Sequence, residues 1–213
     1  MKRRVGVLIS GRGSNMAALL GAARAPDYPA DIVLAMCNQP HAPGIELAAE
    51  AGVRVAVIDH RRFGKDRAAH EAAIDAALRE AGVEIVCLAG YMRLLTPFLV
   101  TAWQGRMLNI HPSLLPAFPG LHTHARALAA GVKLHGCTVH LVTQAMDEGP
   151  ILAQAAVPVL PGDTEASLAA RVLVQEHRLY PAALAAFAAG RPGAAAAADA
   201  ALANPLPITA AVE

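Results

Sequence analysis

The chain has 213 residues, a formal net charge of +1 and a composition that is 55% hydrophobic but only 4% aromatic. This length suits one sizeable domain or two small lobes around a common sheet, with a core built from Ala, Val, Leu and Ile. Basic and acidic residues are interspersed, so there is no basic stripe for nucleic acid, no polybasic membrane signal and no apolar run that spans a bilayer.

The N-terminal Met1-Lys2-Arg3-Arg4 leads into a short apolar run, not a signal peptide, and a cytoplasmic protein is expected. Residues 5–10 predict a buried strand that ends in Gly11-Arg12-Gly13-Ser14-Asn15, after which Met16, Ala17, Leu19 and Leu20 begin a helical pattern. Glycines at a strand–helix turn let backbone N–H groups approach an anion, and the helix N-terminus adds partial positive charge. The loop lacks the Gly-x-Gly-x-x-Gly spacing and a following Lys-Ser/Thr, so a single phosphate fits better than a dinucleotide. A plain tight turn with a helix cap is the other reading.

Residues 32–37 predict a second strand, 44–51 a helix, 53–58 a third strand and 66–81 a helix closed by Gly82. A fourth strand, 84–88, ends in an apolar loop, Ala89-Gly90-Tyr91-Met92-Arg93-Leu94-Leu95-Thr96-Pro97. That loop reads either as a buried connection or as a wall for a flat organic ligand, with Met92, Leu94 and Leu95 partly buried. Pro97 suits the first turn of a helix capped by Thr96 and running to about Trp103. The next strand ends in Asn109-Ile110-His111-Pro112-Ser113-Leu114-Leu115-Pro116. Pro112 and Pro116 force the chain out of the sheet. Asn109 and His111 are two apart and project on one side of an extended strand. A carboxamide donor and a titratable imidazole therefore meet at a strand exit, where open α/β sheets bind ligands.

A short helix at 125–130, strands at 137–142 and 154–159, and a long helix at 164–189 complete the pattern. The alternation predicts an α/β fold: a Rossmann-like, doubly wound, mostly parallel sheet with an antiparallel C-terminal edge. Cys37, Cys87 and Cys137 each sit in a strand-like run, so reduced buried thiols are expected, without a disulfide framework or zinc site. His122 and His124 lack ligand-spaced partners, and no metal is expected. Residues 191–213 read as an Ala/Pro-rich tail.

Taken together, Ser10-Gly11-Arg12-Gly13-Ser14-Asn15, Leu88 to Arg93, Asn109 to Pro116, Pro119-Gly120-Leu121-His122 and Met146-Asp147-Glu148-Gly149-Pro150 resemble the phosphoribosylglycinamide formyltransferases. These are the folate-dependent formyltransferases of de novo purine synthesis, and the resemblance runs from about Val5 to about Pro181. It implies one catalytic domain over 1–190, with a phosphate-binding half to about 105 and a folate and catalytic half beyond. It implies that Gly13, Ser14 and Asn15 hold a substrate phosphate and that Glu176 binds ribose hydroxyls. Arg67, Met92, Arg93, Leu94, Leu95, Asn109, Thr143 and Asp147 would contact 10-formyltetrahydrofolate, the co-substrate. Asn109, His111 and Asp147 would be catalytic, with small-molecule substrates and a monomer or homodimer as the assembly.

The chemistry that such residues support can be argued independently. A neutral amine attacks a formyl carbon, and an α-amino group with pKa about 8 is partly free at neutral pH. The tetrahedral oxyanion accepts from the Asn109 amide and from a protonated His111, which a neighbouring carboxylate keeps charged and oriented. Asp147 is the candidate carboxylate because its loop leaves a strand that can neighbour the Asn109 strand. A 10-formyltetrahydrofolate hydrolase, a formyltransferase acting on aminoacyl-tRNA or an amino sugar, and a non-catalytic nucleotide-binding module are the competing readings.

Overall fold

The computed structural model describes residues 1–191, so the expected tail falls, from residue 192, outside the described residues. In chain order the elements are β1 (Arg3–Ile9), α1 (Ser14–Ala23), β2 (Ala30–Cys37), α2 (Gly44–Glu50), β3 (Arg54–Val57), α3 (Arg67–Glu80), β4 (Ile85–Leu88), α4 (Pro97–Ala102), β5 (Met107–His111), α5 (Thr123–Ala129), β6 (Leu134–Leu141), β7 (Ile151–Pro158) and α6 (Glu165–Ala188). The expected order of strands and helices is borne out. A 3₁₀ turn at His60–Phe63 was not expected; Asp59 caps it by accepting from the Arg61 N–H at 3.0 Å.

The seven strands form one sheet in the order β3-β2-β1-β4-β5-β6-β7. Strands β1 to β5 pair in parallel, whereas β6 runs antiparallel to β5 and β7 antiparallel to β6. The predicted mostly parallel sheet with an antiparallel edge is therefore found. The chain order reverses between β1 and β4, so this is the topological switch point, at whose carboxyl end ligands bind in open α/β sheets. The loops after β1 and β4 flank that crevice, and β5 lies next to it.

β1 shows why the sheet is buried on both faces. Val5, Val7 and Ile9 pack into one core cluster with Leu19 of α1 and Leu168, Val172 and Leu179 of α6. Leu8 points the other way, into a second cluster with Ile74 and Leu78 of α3 and Trp103. The period-2 alternation of a strand divides its residues between two helical layers.

β6 and β7 begin at 134 and 151, earlier than the 137 and 154 expected. In β6 the added residues pair with the end of β7, with Gly136 opposite Ala156, so pairing extends the strand through His135 and Gly136; in β7 the added Ile151 and Ala153 pair with His140 and Val139. Among the described residues no helix is long and apolar enough to cross a membrane.

Candidate active site

Four side chains from three chain segments meet at the end of β5. Asn109 faces His140 across the antiparallel β5–β6 pair, and its Nδ2 lies 3.1 Å from His140 Nε2. His111 Nδ1 lies 3.5 Å from Asp147 Oδ2, and His140 Nε2 lies 3.7 Å from Asp147 Oδ1. All three catalytic candidates come together, and His140 joins them. The sequence showed only a histidine inside an apolar strand; its partner depends on the β5–β6 register.

The hydrogen bonds assign roles to both imidazoles. His140 Nδ1 lies 2.9 Å from the Leu141 carbonyl, which only accepts, so Nδ1 carries the proton and Nε2 receives one from the Asn109 amide. Burial drives the His140 pKa down; the bond to Leu141 and the Asp147 charge oppose this, while His111 adds to it. The neutral ring fits that downward shift, so the Asp147–His140 approach is not an ion pair. Asn109 is thereby oriented with its NH₂ toward His140, leaving a second N–H of the same group for a ligand.

At His111, Nε2 lies 3.1 Å from the Phe118 carbonyl while Nδ1 faces the Asp147 carboxylate. The carbonyl only accepts, so Nε2 carries a proton, and Nδ1 is the ring atom that faces the carboxylate. The ring is 6% exposed, so these two oxygens are its main solvation.

Asp147 is placed by its backbone. Its φ is +58°, and its Oδ2 also accepts from the Gly120 N–H at 2.8 Å. Gly149 permits the turn: a Cβ there would meet the Leu141 carbonyl oxygen at 1.7 Å, so only glycine lets the loop fold back on β6. Among the described residues the non-glycine positions with positive φ are Phe118, His122 and Asp147. All three lie in the two loops around His111, and such left-handed geometry is tolerated where surrounding contacts over-determine it. The Phe118 carbonyl and Gly120 N–H are backbone groups and carried no signal in the sequence.

On the other side of the switch point, Gly13 takes φ +73° as the N-cap of α1, with no side chain satisfying the first-turn N–H groups. A Cβ at Gly13 would approach Gly44 Cα at 3.2 Å, so the loop also packs closely on α2. Ser14 opens the helix and Asn15 is buried. Asn15 donates to Glu176 Oε2 at 2.6 Å, bringing together residues 161 positions apart. Asn15 Oδ1 is buried without a partner among the described residues, which leaves an acceptor for a ligand hydroxyl or amine. Burial raises the Glu176 pKa, and the Asn15 hydrogen bond opposes that rise. Arg12 is exposed.

The loop after β4 differs from expectation. Met92 and Leu94 are 67% and 63% exposed, and of the three wall residues only Leu95 packs against the second core cluster. Tyr91 takes the inward position, and in an extended segment its neighbour turns outward. Arg93 is half-buried. Arg67 reaches this loop, where its guanidinium donates to the Leu94 carbonyl. Thr143 is exposed and its hydroxyl donates to the Ala145 carbonyl at 3.1 Å, shaping its own turn.

The three cysteines are buried and free. Burial pushes the Cys87 thiol to about 12 and raises those of Cys37 and Cys137, so none is a nucleophile at neutral pH. His124 and His135 stack edge-on with Nδ1 and Nε2 3.2 Å apart.

The formyl transferase family matches residues 3–184 of this sequence. The chain belongs to that family. Its relatives include the phosphoribosylglycinamide formyltransferase of Escherichia coli, 42% identical over 87% of both chains. The trifunctional purine biosynthetic protein adenosine-3 of Homo sapiens is 48% identical over 89% of this chain. This chain spans only 19% of that relative, and between 14% and 19% of the first curated relatives it matches. Among solved structures, the phosphoribosylglycinamide formyltransferase of Brucella melitensis is 59% identical, covers 89% of this chain and 97% of its own, and superposes with a TM-score of 0.85. The glycinamide ribonucleotide transformylase 1 of Symbiobacterium toebii is 49% identical over 89% of each chain, with a TM-score of 0.86.

Proposed function

We propose that residues 1–190 form one catalytic domain that transfers the formyl group of 10-formyltetrahydrofolate to the amine of 5'-phosphoribosylglycinamide, a step of purine synthesis. The carrying observation is the convergence of Asn109, His111 and Asp147 at the end of β5, the strand next to the switch point of the sheet. The identities of the family's members support the same assignment.

In this reading the ribonucleotide phosphate sits on the Gly13–Asn15 backbone at the N-terminus of α1, and its ribose hydroxyls reach Glu176. The pterin lies along Met92 to Leu95. The neutral amine attacks the formyl carbon, and the oxyanion accepts from Asn109 Nδ2 and from His111. The C–N bond to the folate nitrogen then breaks, and the proton on the attacking nitrogen passes to the leaving nitrogen. Asp147 balances the His111 charge and is the acidic group through which that proton is relayed.

Formyl-folate consumption measured with and without glycinamide ribonucleotide tests this. Consumption that depends on the ribonucleotide is expected. Equal consumption without it would make the chain a hydrolase, and none in either case would remove the assignment.

A further inference from the structure

The segment 91–96 is neither helix nor strand, so its backbone polar groups need partners from elsewhere. Side chains supply them at every second residue. Ser10, at the end of β1, accepts from the Met92 N–H at 2.8 Å and gives its own proton to Asn38 Oδ1 at 2.7 Å. Arg67 donates to the Leu94 carbonyl. Glu71 accepts from the Thr96 N–H at 2.7 Å and from the Thr96 hydroxyl.

Arg67 and Glu71 stand one turn apart on α3, on the same face, as i and i+4 residues do. One offers a donor and the other an acceptor, and they grip opposite polarities of one backbone. Glu71 is 3% exposed, and Asn38 behind Ser10 is 1% exposed, so neither anchor is a surface contact. A buried carboxylate costs stability unless its oxygens are satisfied, and Glu71 spends both on this loop. With the backbone gripped at 92, 94 and 96, the side chains of Met92 and Leu94 stand outward.

We propose that Glu71 is a positioning residue of the folate site, forming with Arg67 and Ser10 a brace that fixes the height of the 92–96 backbone. This rests on the reading of Met92 to Leu95 as the folate wall. It gives Arg67 a role besides any contact with the folate tail. It also ties the wall to the phosphate loop, because Ser10 immediately precedes Gly11.

The test compares Glu71→Ala, Glu71→Gln and Ser10→Ala with the parent protein. Loss of a hydrogen bond to a charged group is of the order of a tenfold effect, so Glu71→Ala should raise KM for formyl-folate about tenfold. Its kcat and its KM for the ribonucleotide should stay within about twofold. Glu71→Gln keeps an acceptor oxygen for the Thr96 N–H and should recover most of the loss. Hydrogen exchange in the ligand-free protein should accelerate at Thr96 in Glu71→Ala and at Met92 in Ser10→Ala. An unchanged folate KM in both alanine variants overturns the brace, as does an equal rise in both KM values with a fall in kcat. If Glu71→Ala does not fold, Ser10→Ala decides by the same criteria, since it removes one hydroxyl. A parent protein that does not consume formyl-folate fails the underlying functional reading, and that result is visible before any variant is made.

Discussion

In the proposed reaction His111 and Asp147 act through one another. Asp147 reaches the ring at 3.5 Å and is itself fixed by the Gly120 N–H. Replacing Asp147 with Asn keeps the shape but removes the charge that faces His111 Nδ1. Loss of one oxyanion donor typically costs about 10²–10³ in kcat, so Asp147→Asn and His111→Ala should each fall in that range. The double variant should lose little more than either single one, because the pair works as a unit. Steady-state kinetics of the four proteins check this, and additive losses would show that Asp147 only shapes its loop. Glu176 gives a second prediction, of opposite character. Its pKa is raised by burial, so its ionised form at neutral pH costs stability that the unfolded chain does not pay. The sign is that of a carboxylate stabilised when protonated and destabilising once the pH passes its folded pKa. Glu176→Gln keeps an acceptor for Asn15 and should raise Tm at neutral pH, while raising KM for the ribonucleotide. A lower Tm in a thermal melt would mean that the Asn15–Glu176 bond outweighs the desolvation.

Among the elements, α6 carries its stabilising cap and the proposed ribose contact at different points along one helix. Its start is fixed by a capping box: Thr164 Oγ1 accepts from the Ser167 N–H at 3.1 Å, and Ser167 Oγ accepts from the Thr164 N–H at 3.0 Å. Asp163 adds a bidentate pair with Arg171, and the Arg171 hydrogen bonds hold its carboxyl well below the usual range. Glu176 lies three turns further in, on the face packed against α1. Thr164→Ala should therefore cost about 1 kcal/mol of stability in urea unfolding. Both KM values should be unchanged, because fraying stops within the first turn. The loop after β4 is the reverse case, an irregular segment that side chains of neighbouring elements hold in place.

For the whole molecule, the histidines set the response to acid. Burial lowers the pKa values of His70, His124, His135, His140 and His177, that of His135 to about 4. A histidine whose folded pKa is depressed binds fewer protons in the folded state than in the unfolded one. Its stabilisation is complete above the unfolded value of about 6.5 and is lost as pH falls toward the folded one. Tm should therefore drop steadily as pH falls from about 7 to about 4, before most carboxylates titrate. Circular-dichroism melts across that window check the slope, and His135→Gln should flatten its acid end. A Tm that is level down to about pH 5 would contradict the burial of these rings.

The amino-acid sequence determined the layers of this protein. Strand and helix periods, the glycine turn before α1, the prolines after β5 and the Asn109–His111 spacing are local, and backbone sterics act on neighbours. They placed the loops after β1 and β4 and the strand that carries Asn109 and His111. The Asn-x-His-Pro-Ser-Leu-Leu-Pro stretch and its companion motifs also pointed to the formyltransferase family before any contact was known. Tertiary structure decided what depends on register and crossing. His140 meets Asn109 only because β6 pairs antiparallel with β5 in one register, and a shift by one residue would turn it to the other face. Glu176 meets Asn15 only because α6 crosses α1. Phe118, Gly120 and the brace on residues 92–96 act through backbone groups, which every residue has, so no side-chain pattern could mark them. Met92 and Leu94 were expected to be partly buried, since hydrophobicity records a preference for apolar surroundings. Their outward placement follows from the alternation fixed by Tyr91 and from anchors supplied by distant segments.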